Sequence, residues 1–287
     1  MQSAQFALHA KIEESHWWFV ARRRIMRTLV HEVMPPDKAT TIVDVGCGTG
    51  ANIASLADEY NCVGIDTSTE AIGFAAERFP KVRYLSGWAP GDLGDVAGGA
   101  KLFLLMDVLE HVPDDFAMLS ELLAAASEGT YFLMTVPAGM HLWSQHDESF
   151  GHYRRYTQER FAQVWAGLPV ETLLLSYFNT RLYPLVRGVR AISRLRGRAG
   201  GQDGTDLALP SRPVNSALER IFAGESKRLV RLLKGQRSRG YPFGVSLVAI
   251  LRRGPGEIAL RSRPKNIKAD LHNPAAATPQ PAAAART

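Results

Sequence analysis

The chain has 287 residues, 46% of them apolar, with a formal net charge of +6. That is enough apolar material for one large α/β domain with additions, or for two small ones, and no run of about 18 apolar residues suggests a transmembrane helix. The two cysteines, Cys47 and Cys62, exclude a disulfide framework and point to a reducing compartment, hence a cytoplasmic protein.

The first twenty residues, MQSAQFALHAKIEESHWWFV, lack the basic start and apolar run of a signal peptide. The stretch ESHWWFVARRRIMRTLVHEVM predicts a helix over about 14–34. Trp18, Ile25, Leu29 and Val33 recur at helical spacing, and Pro35-Pro36 ends it. Strand and helix signals then alternate. TIVDVG is a strand, GANIASLADEY a helix, NCVGID a strand, and TSTEAIGFAAERFP a helix with a polar cap. KVRYLSG is the third strand and KLFLLMDV the fourth, apolar throughout as a strand covered on both faces should be. PDDFAMLSELLAAASEG is a helix and TYFLMTVP the fifth strand. After a polar loop, QERFAQVWAGL reads as a helix and VETLLLSYF as the sixth strand. A helical insertion over about 178–238 follows, with one helix expected over NSALERIFAGESKRLVRLLKG. GVSLVAILRR closes as the last strand, giving a domain over 1–253. Residues 254–287 have many Ala and Pro and no aromatics, and are expected to be a disordered tail.

Such alternation means an α/β fold: a doubly wound, mostly parallel sheet with right-handed crossovers. Its ligands bind beyond the carboxyl ends of the strands. The sharpest motif there is DVGCGTGA, Asp44 to Ala51, between a strand and a helix. Gly46, Gly48 and Gly50 let the backbone turn and approach a ligand. The loop also fits G-x-G-x-x-A, a nicotinamide-binding pattern. However, Asp44 lies where a pyrophosphate would sit, and the loop carries no Lys or Arg. An acidic strand tip suits the ammonium and sulfonium of S-adenosylmethionine, and Asp66, ending the second strand, is placed for ribose hydroxyls.

The runs IVDVGCGTGANI, GIDTS and LLMDVLEHVPDD together resemble the class I S-adenosylmethionine-dependent methyltransferases, over about residues 40–176 with a return strand near 244–252. The resemblance implies a Rossmann-like seven-stranded sheet whose last strand is antiparallel. It also implies S-adenosylmethionine as cofactor, with Asp44, Gly46, Cys47, Gly48 and Gly50 near the amino-acid end, Asp66 and Thr67 near the ribose, and Asp107 and Val108 beside the methionine end. One departure is SGWAP. Trp88 stands where the family commonly has an acid for the adenine amine, so either Trp88 or a backbone carbonyl holds the adenine, or Trp88 simply packs. The E-H pair Glu110-His111 is similar to that of the ubiquinone-pathway O-methyltransferases. Some of those hold a divalent metal on an acid at the position of Asp107 together with that pair. No other ligand spacing supports a metal here, and none is expected.

A methyl acceptor with a hydroxyl must also lose a proton, and histidine is the usual base. Four histidines lie near strand ends: His111, His141, His146 and His152. The loop SQHDESFGHYRRYT, 144–157, has no helix or strand period. It is expected to be a lid over the methyl donor, with His146 or His152 as base and His111 as a further candidate. In this reading Arg154, Arg155 and Tyr156 grip an anionic acceptor. The competing reading is a clasp tying this loop to the N-terminal HWW and RRR groups. The span 181–198 alternates Leu185, Val189 and Ile192 with Arg187, Arg190 and Arg194. It reads either as a helix packed on the fold or as one lying on an anionic membrane, which would place the protein peripherally on the inner membrane face. No nucleic-acid motif accompanies the charge. The expected function is methyl transfer to a small-molecule or lipid-linked acceptor, at oxygen. The alternatives are a protein or nucleic-acid methyltransferase and a cofactor-binding scaffold without turnover.

Overall fold

The computed structural model describes residues 3–195 and 209–258. In chain order the elements are α1 (Ser3–Ile12), α2 (Trp17–Val33), β1 (Asp37–Val45), α3 (Ala51–Ala54), β2 (Tyr60–Asp66), α4 (Thr69–Arg78), β3 (Arg83–Ser86) and α5 (Asp95–Gly99). There follow β4 (Leu102–Met106), α6 (Asp115–Ala125), β5 (Tyr131–Pro137), α7 (Gln145–Ser149), α8 (Gln158–Ala162), β6 (Val170–Phe178), α9 (Tyr183–Leu195), α10 (Arg212–Ala223), α11 (Ser226–Leu233) and β7 (Ser246–Arg253).

The seven strands among the described residues join one sheet in the order β3-β2-β1-β4-β5-β7-β6. The pairs β1–β2, β1–β4, β2–β3 and β4–β5 are parallel, while β7 runs antiparallel to both β5 and β6. The expected sheet and its reversed last strand are therefore both present. The order reverses at β1 and β4, so their carboxyl ends open the crevice in which such sheets bind ligands. β4 is buried at every position because both faces are covered. On one face Leu102, Leu104 and Met106 pack with α2 through Ile25 and Leu29. On the other, Phe103 and Leu105 pack with α6 through Leu119, Leu122 and Leu123.

Four local expectations are revised. The helix expected over 50–60 is short, Ala51–Ala54, and continues as turns. The helix expected near 214–234 is two helices, because Gly224 and Glu225 interrupt it. Glu225 is fully buried and accepts the backbone N–H groups of Thr180 and Arg181 at the end of β6. The polar loop 144–157 contains a short helix, α7, opened by a capping box between Ser144 and Asp147. A further helix, α1, precedes the expected N-terminal one. Most of the loop expected over 198–213, and the tail from 259 onward, lie outside the described residues. No described helix is long and apolar enough to cross a membrane.

Candidate active site

The glycine loop follows β1 directly. Gly46 has φ +68, and a Cβ there would meet Val108 Cγ2 at 2.8 Å, so Val108 props the loop from below. Gly50 has φ +90 and lies against the Tyr84 hydroxyl, which a Cβ would meet at 2.6 Å. Asp66 accepts the Gly48 N–H through Oδ2 and the Ser68 N–H through Oδ1, each at 2.9 Å, which ties the tip of β2 to the loop. Asp44 is fully buried and neither of its carboxylate oxygens has a partner. Burial first, and the nearby Asp66 and Glu13, push its carboxyl up to about 8, with Arg22 opposing. A buried acid of this kind is unfavourable unless a cation joins it.

α2 delivers Arg22 to the same place. Its guanidinium pairs with Asp107 Oδ2 and lies 4.3 Å from the Trp18 ring centroid, while its Nε has no partner. Asp107, at φ 60, also accepts Thr135 Oγ1 at 2.9 Å. Arg23 Nη1 is buried without a partner as well. Between α1 and α2, Glu13 accepts the Thr49 hydroxyl at 2.7 Å and pairs with Arg78. The N-terminal helices thus cover the glycine loop. At the other end of the crevice Trp88 is 60% exposed, and its N–H donates to Asp92 Oδ2 at 2.7 Å.

The opposite wall is the segment after β5. Asp147 is its hub: Oδ1 accepts Arg155 Nε at 2.8 Å and lies 2.8 Å from His152 Nδ1, Oδ2 accepts the Ser144 N–H at 2.9 Å, and Arg190 Nη1 lies at 3.7 Å. Burial works against the charge, but Arg155, His152 and Arg190 together hold the Asp147 carboxyl below the usual carboxylate range. The His152 ring meets the His111 ring edge-on at 4.7 Å, and Glu110 is fully buried with both carboxylate oxygens unpartnered. Burial, then Asp107, pushes Glu110 well above the usual range; burial, then His152, pushes His111 well below. His146 is likewise pushed well below by burial and Arg190, and packs on Phe150 at 4.5 Å.

A family model described as a methyltransferase domain matches residues 19–181. The chain belongs to this methyltransferase-domain family. Trans-aconitate 2-methyltransferase of Azoarcus sp. (strain BH72) is 32% identical over 51% of this chain and 55% of the relative. The chain spans about half the length of the curated relatives it matches. Among solved structures, the putative methyltransferase in complex with the Haloferax volcanii Trm112 activator has a TM-score of 0.53 at 16% identity, over 88% of this chain and 96% of that one. The plantazolicin methyltransferase BamL, solved with a triazolic desmethylPZN analog and SAH, has a TM-score of 0.51 at 13% identity, over 88% and 91%. These likenesses concern the fold. The methyl donor of the methyltransferase domain is S-adenosylmethionine.

In this domain the residues anticipated for the cofactor, Asp44, Gly46, Cys47, Gly48, Gly50, Asp66, Asp107 and Val108, lie along one crevice at the ends of β1, β2 and β4, with Trp88 at its rim. Thr67 is exposed and Cys47 is buried against the loop. The acceptor-side expectations are corrected. Arg154 is fully buried, and its guanidinium donates to the carbonyls of Leu109, Val112 and Pro113 at 3.2, 2.7 and 2.8 Å, so it braces the turn after β4 instead of gripping an acceptor. Tyr156 is fully buried and donates to Asp115 Oδ2 at 2.9 Å. Arg155 is committed to Asp147 and to the Ala138 carbonyl at 3.2 Å. Arg190, expected on a surface face, is buried and donates to the Leu142 carbonyl. His141 is exposed and pairs with the Tyr183 hydroxyl at 2.8 Å. A tie between this segment and the N-terminus runs through His9, stacked on Phe150 at 5.3 Å. Sequence reasoning missed Arg22 and Glu13 as site residues, and named Glu110 only through the E-H resemblance. The signal for Arg22 was the HWWF-x-x-R-R segment itself.

Proposed function

We propose that the chain transfers the methyl group of S-adenosylmethionine to an oxygen of a small-molecule acceptor, one that is anionic or lipid-linked. One observation carries the reading: a buried acid without a partner, Asp44, shares the crevice with buried, unpartnered guanidinium atoms of Arg22 and Arg23. That pairing complements the α-ammonium and α-carboxylate at the methionine end of the donor. Asp66 keeps lone pairs for ribose hydroxyls beyond its two backbone bonds. The Trp88 ring is exposed at the rim for the adenine face.

The sulfonium methyl is already activated, so the protein's part is alignment and exclusion of water. The acceptor oxygen forms the new C–O bond in line as the C–S bond breaks, and the bonding pair returns to sulfur. The proton of a hydroxyl acceptor leaves toward the Glu110, His111 and His152 cluster, in which Asp147 fixes the His152 ring. Relatives named trans-aconitate 2-methyltransferase support a small-molecule acceptor.

A lipid-linked acceptor is supported by the surface of the insertion. Leu185, Val189 and Ile192 are exposed along α9, and Val214 and Ile221 along α10, with exposed Arg181, Arg187, Arg212 and Arg220 among them. A screen of small acids, phenols and lipid-extracted acceptors with labelled methyl donor tests the reading. Labelled product from a small or lipid acceptor is expected. Incorporation only into protein or nucleic acid would overturn the acceptor class, and no donor binding by calorimetry would overturn the whole proposal.

A further inference from the structure

We infer that Glu110, His111 and His152 form a binding site for one divalent transition-metal cation, with Asp147 as the group that orients His152. The ligand atoms of the three side chains lie within 4.8 Å of one another. Their state suits a cation. Glu110 is fully buried with both oxygens unpartnered, an arrangement that is costly in isolation and is relieved by a positive charge. Asp147 sits 2.8 Å from His152 Nδ1, so Nδ1–H donates to the carboxylate and Nε2 is the nitrogen left to ligate. A carboxylate behind a ligating imidazole is the usual support of a metal-bound histidine. One nitrogen of the His111 ring bonds to the Phe150 backbone, leaving the other for the cluster. Two imidazoles and one carboxylate favour zinc, manganese or iron over magnesium.

The donor set differs from the one the sequence resemblance implies. In that pattern the third ligand is an acid at the position of Asp107. Here Asp107 is paired with Arg22 through Oδ2 and accepts Thr135 through Oδ1, so it does not fit a cation. His152, more than forty positions later in the chain, takes its place from the segment after β5. This is why no ligand spacing shows in the sequence. A cation held there would polarise an acceptor oxygen. The lone pairs offered to the acceptor's proton would then be ligands instead. In this respect the inference rests on the acceptor reading of this edge.

The test needs neither donor nor acceptor. The chain is stripped with chelator and titrated with Zn²⁺ and Mn²⁺ by calorimetry, and the Mn²⁺ form is examined by pulsed electron paramagnetic resonance. One equivalent is expected, with nitrogen coupling from two imidazoles. Glu110→Gln, His111→Ala and His152→Ala should each weaken binding by at least about tenfold, and Asp147→Asn by about 10–100-fold. Asp107→Asn should keep one equivalent bound, with the same nitrogen coupling from two imidazoles. Absence of a stoichiometric site, binding that survives His152→Ala, or loss of the site in Asp107→Asn would overturn the assignment. Circular dichroism identifies a variant that fails to fold, and Glu110→Gln, nearly isosteric, then stands in for it. S-adenosylmethionine affinity measured on the same samples separates the two readings: donor binding without a cation sinks only this inference, and a cation without donor binding sinks only the methyl-transfer proposal.

Discussion

At the scale of single residues, the charge on Asp44 should be visible as a proton. The free protein holds its carboxyl near pH 8, protonated at neutrality, whereas an ammonium neighbour favours the ionised form. Binding of the donor at pH 7 is therefore expected to release close to one proton. Affinity should rise with pH up to about 8. Calorimetry in two buffers of different ionisation heat reads the release directly, and Asp44→Asn should abolish it. Arg154 makes the opposite kind of prediction. Removing its guanidinium leaves three buried carbonyls without donors, so Arg154→Ala should cost about 3 kcal/mol of stability in denaturant unfolding. Any remaining folded enzyme should keep a near-normal acceptor KM. His152→Ala should instead lower kcat, by about 10²–10⁴-fold, without changing donor affinity.

Between elements, the contact of α1 with the segment after β5 should depend on pH. His9 stacks on Phe150, and burial, then Arg22, lowers its pKa to about 4. The docked state therefore favours the neutral ring, and the detached or unfolded state binds the proton more readily below the ordinary value of about 6.5. Docking is complete above that value and weakens as pH falls toward 4. Hydrogen-exchange protection of residues 6–13, corrected for intrinsic rates, should fall between pH 7 and 5. His9→Phe should hold it level. Legibility in the sequence follows the same division between local and distant causes. Most strands were readable because they contain a short apolar or β-branched run, and the glycine loop because its conformation is written in consecutive residues. The interruption at Gly224 was less so, since its cause is the Glu225 carboxylate capping the end of β6, 45 positions away. The loop 144–157 showed the right residue types, but composition does not tell whether an arginine faces a ligand or a carbonyl. Here the carbonyls after β4 claimed Arg154, and Asp147 claimed Arg155.

For the whole molecule, the uneven surface is the feature to test. Among the described residues, eight of the nine large apolar side chains that are exposed, all except Trp88, lie at Met140, on α9 and α10, or at Leu209 and Phe243. Vesicles of phosphatidylcholine with phosphatidylglycerol should sediment the protein, and phosphatidylcholine alone should not. Each basic residue at the surface adds about 1 kcal/mol, lost at high salt. The pair Arg187→Glu and Arg212→Glu should abolish binding with no change in melting temperature, because both side chains are exposed. Vesicle binding that is absent, or indifferent to salt, would remove the lipid face.

Arg190 gives that surface a second meaning. It leaves the exposed helix α9, crosses to the carbonyl of Leu142 and approaches Asp147, the same carboxylate that holds His152. In the proposed reading, whatever settles on α9 and shifts its inner face acts on the ring assigned to the acceptor. Thermodynamic reciprocity makes the influence mutual: if lipid changes acceptor affinity by some factor, the acceptor changes lipid affinity by that same factor. A single arginine would then make adsorption and recognition two readings of one equilibrium.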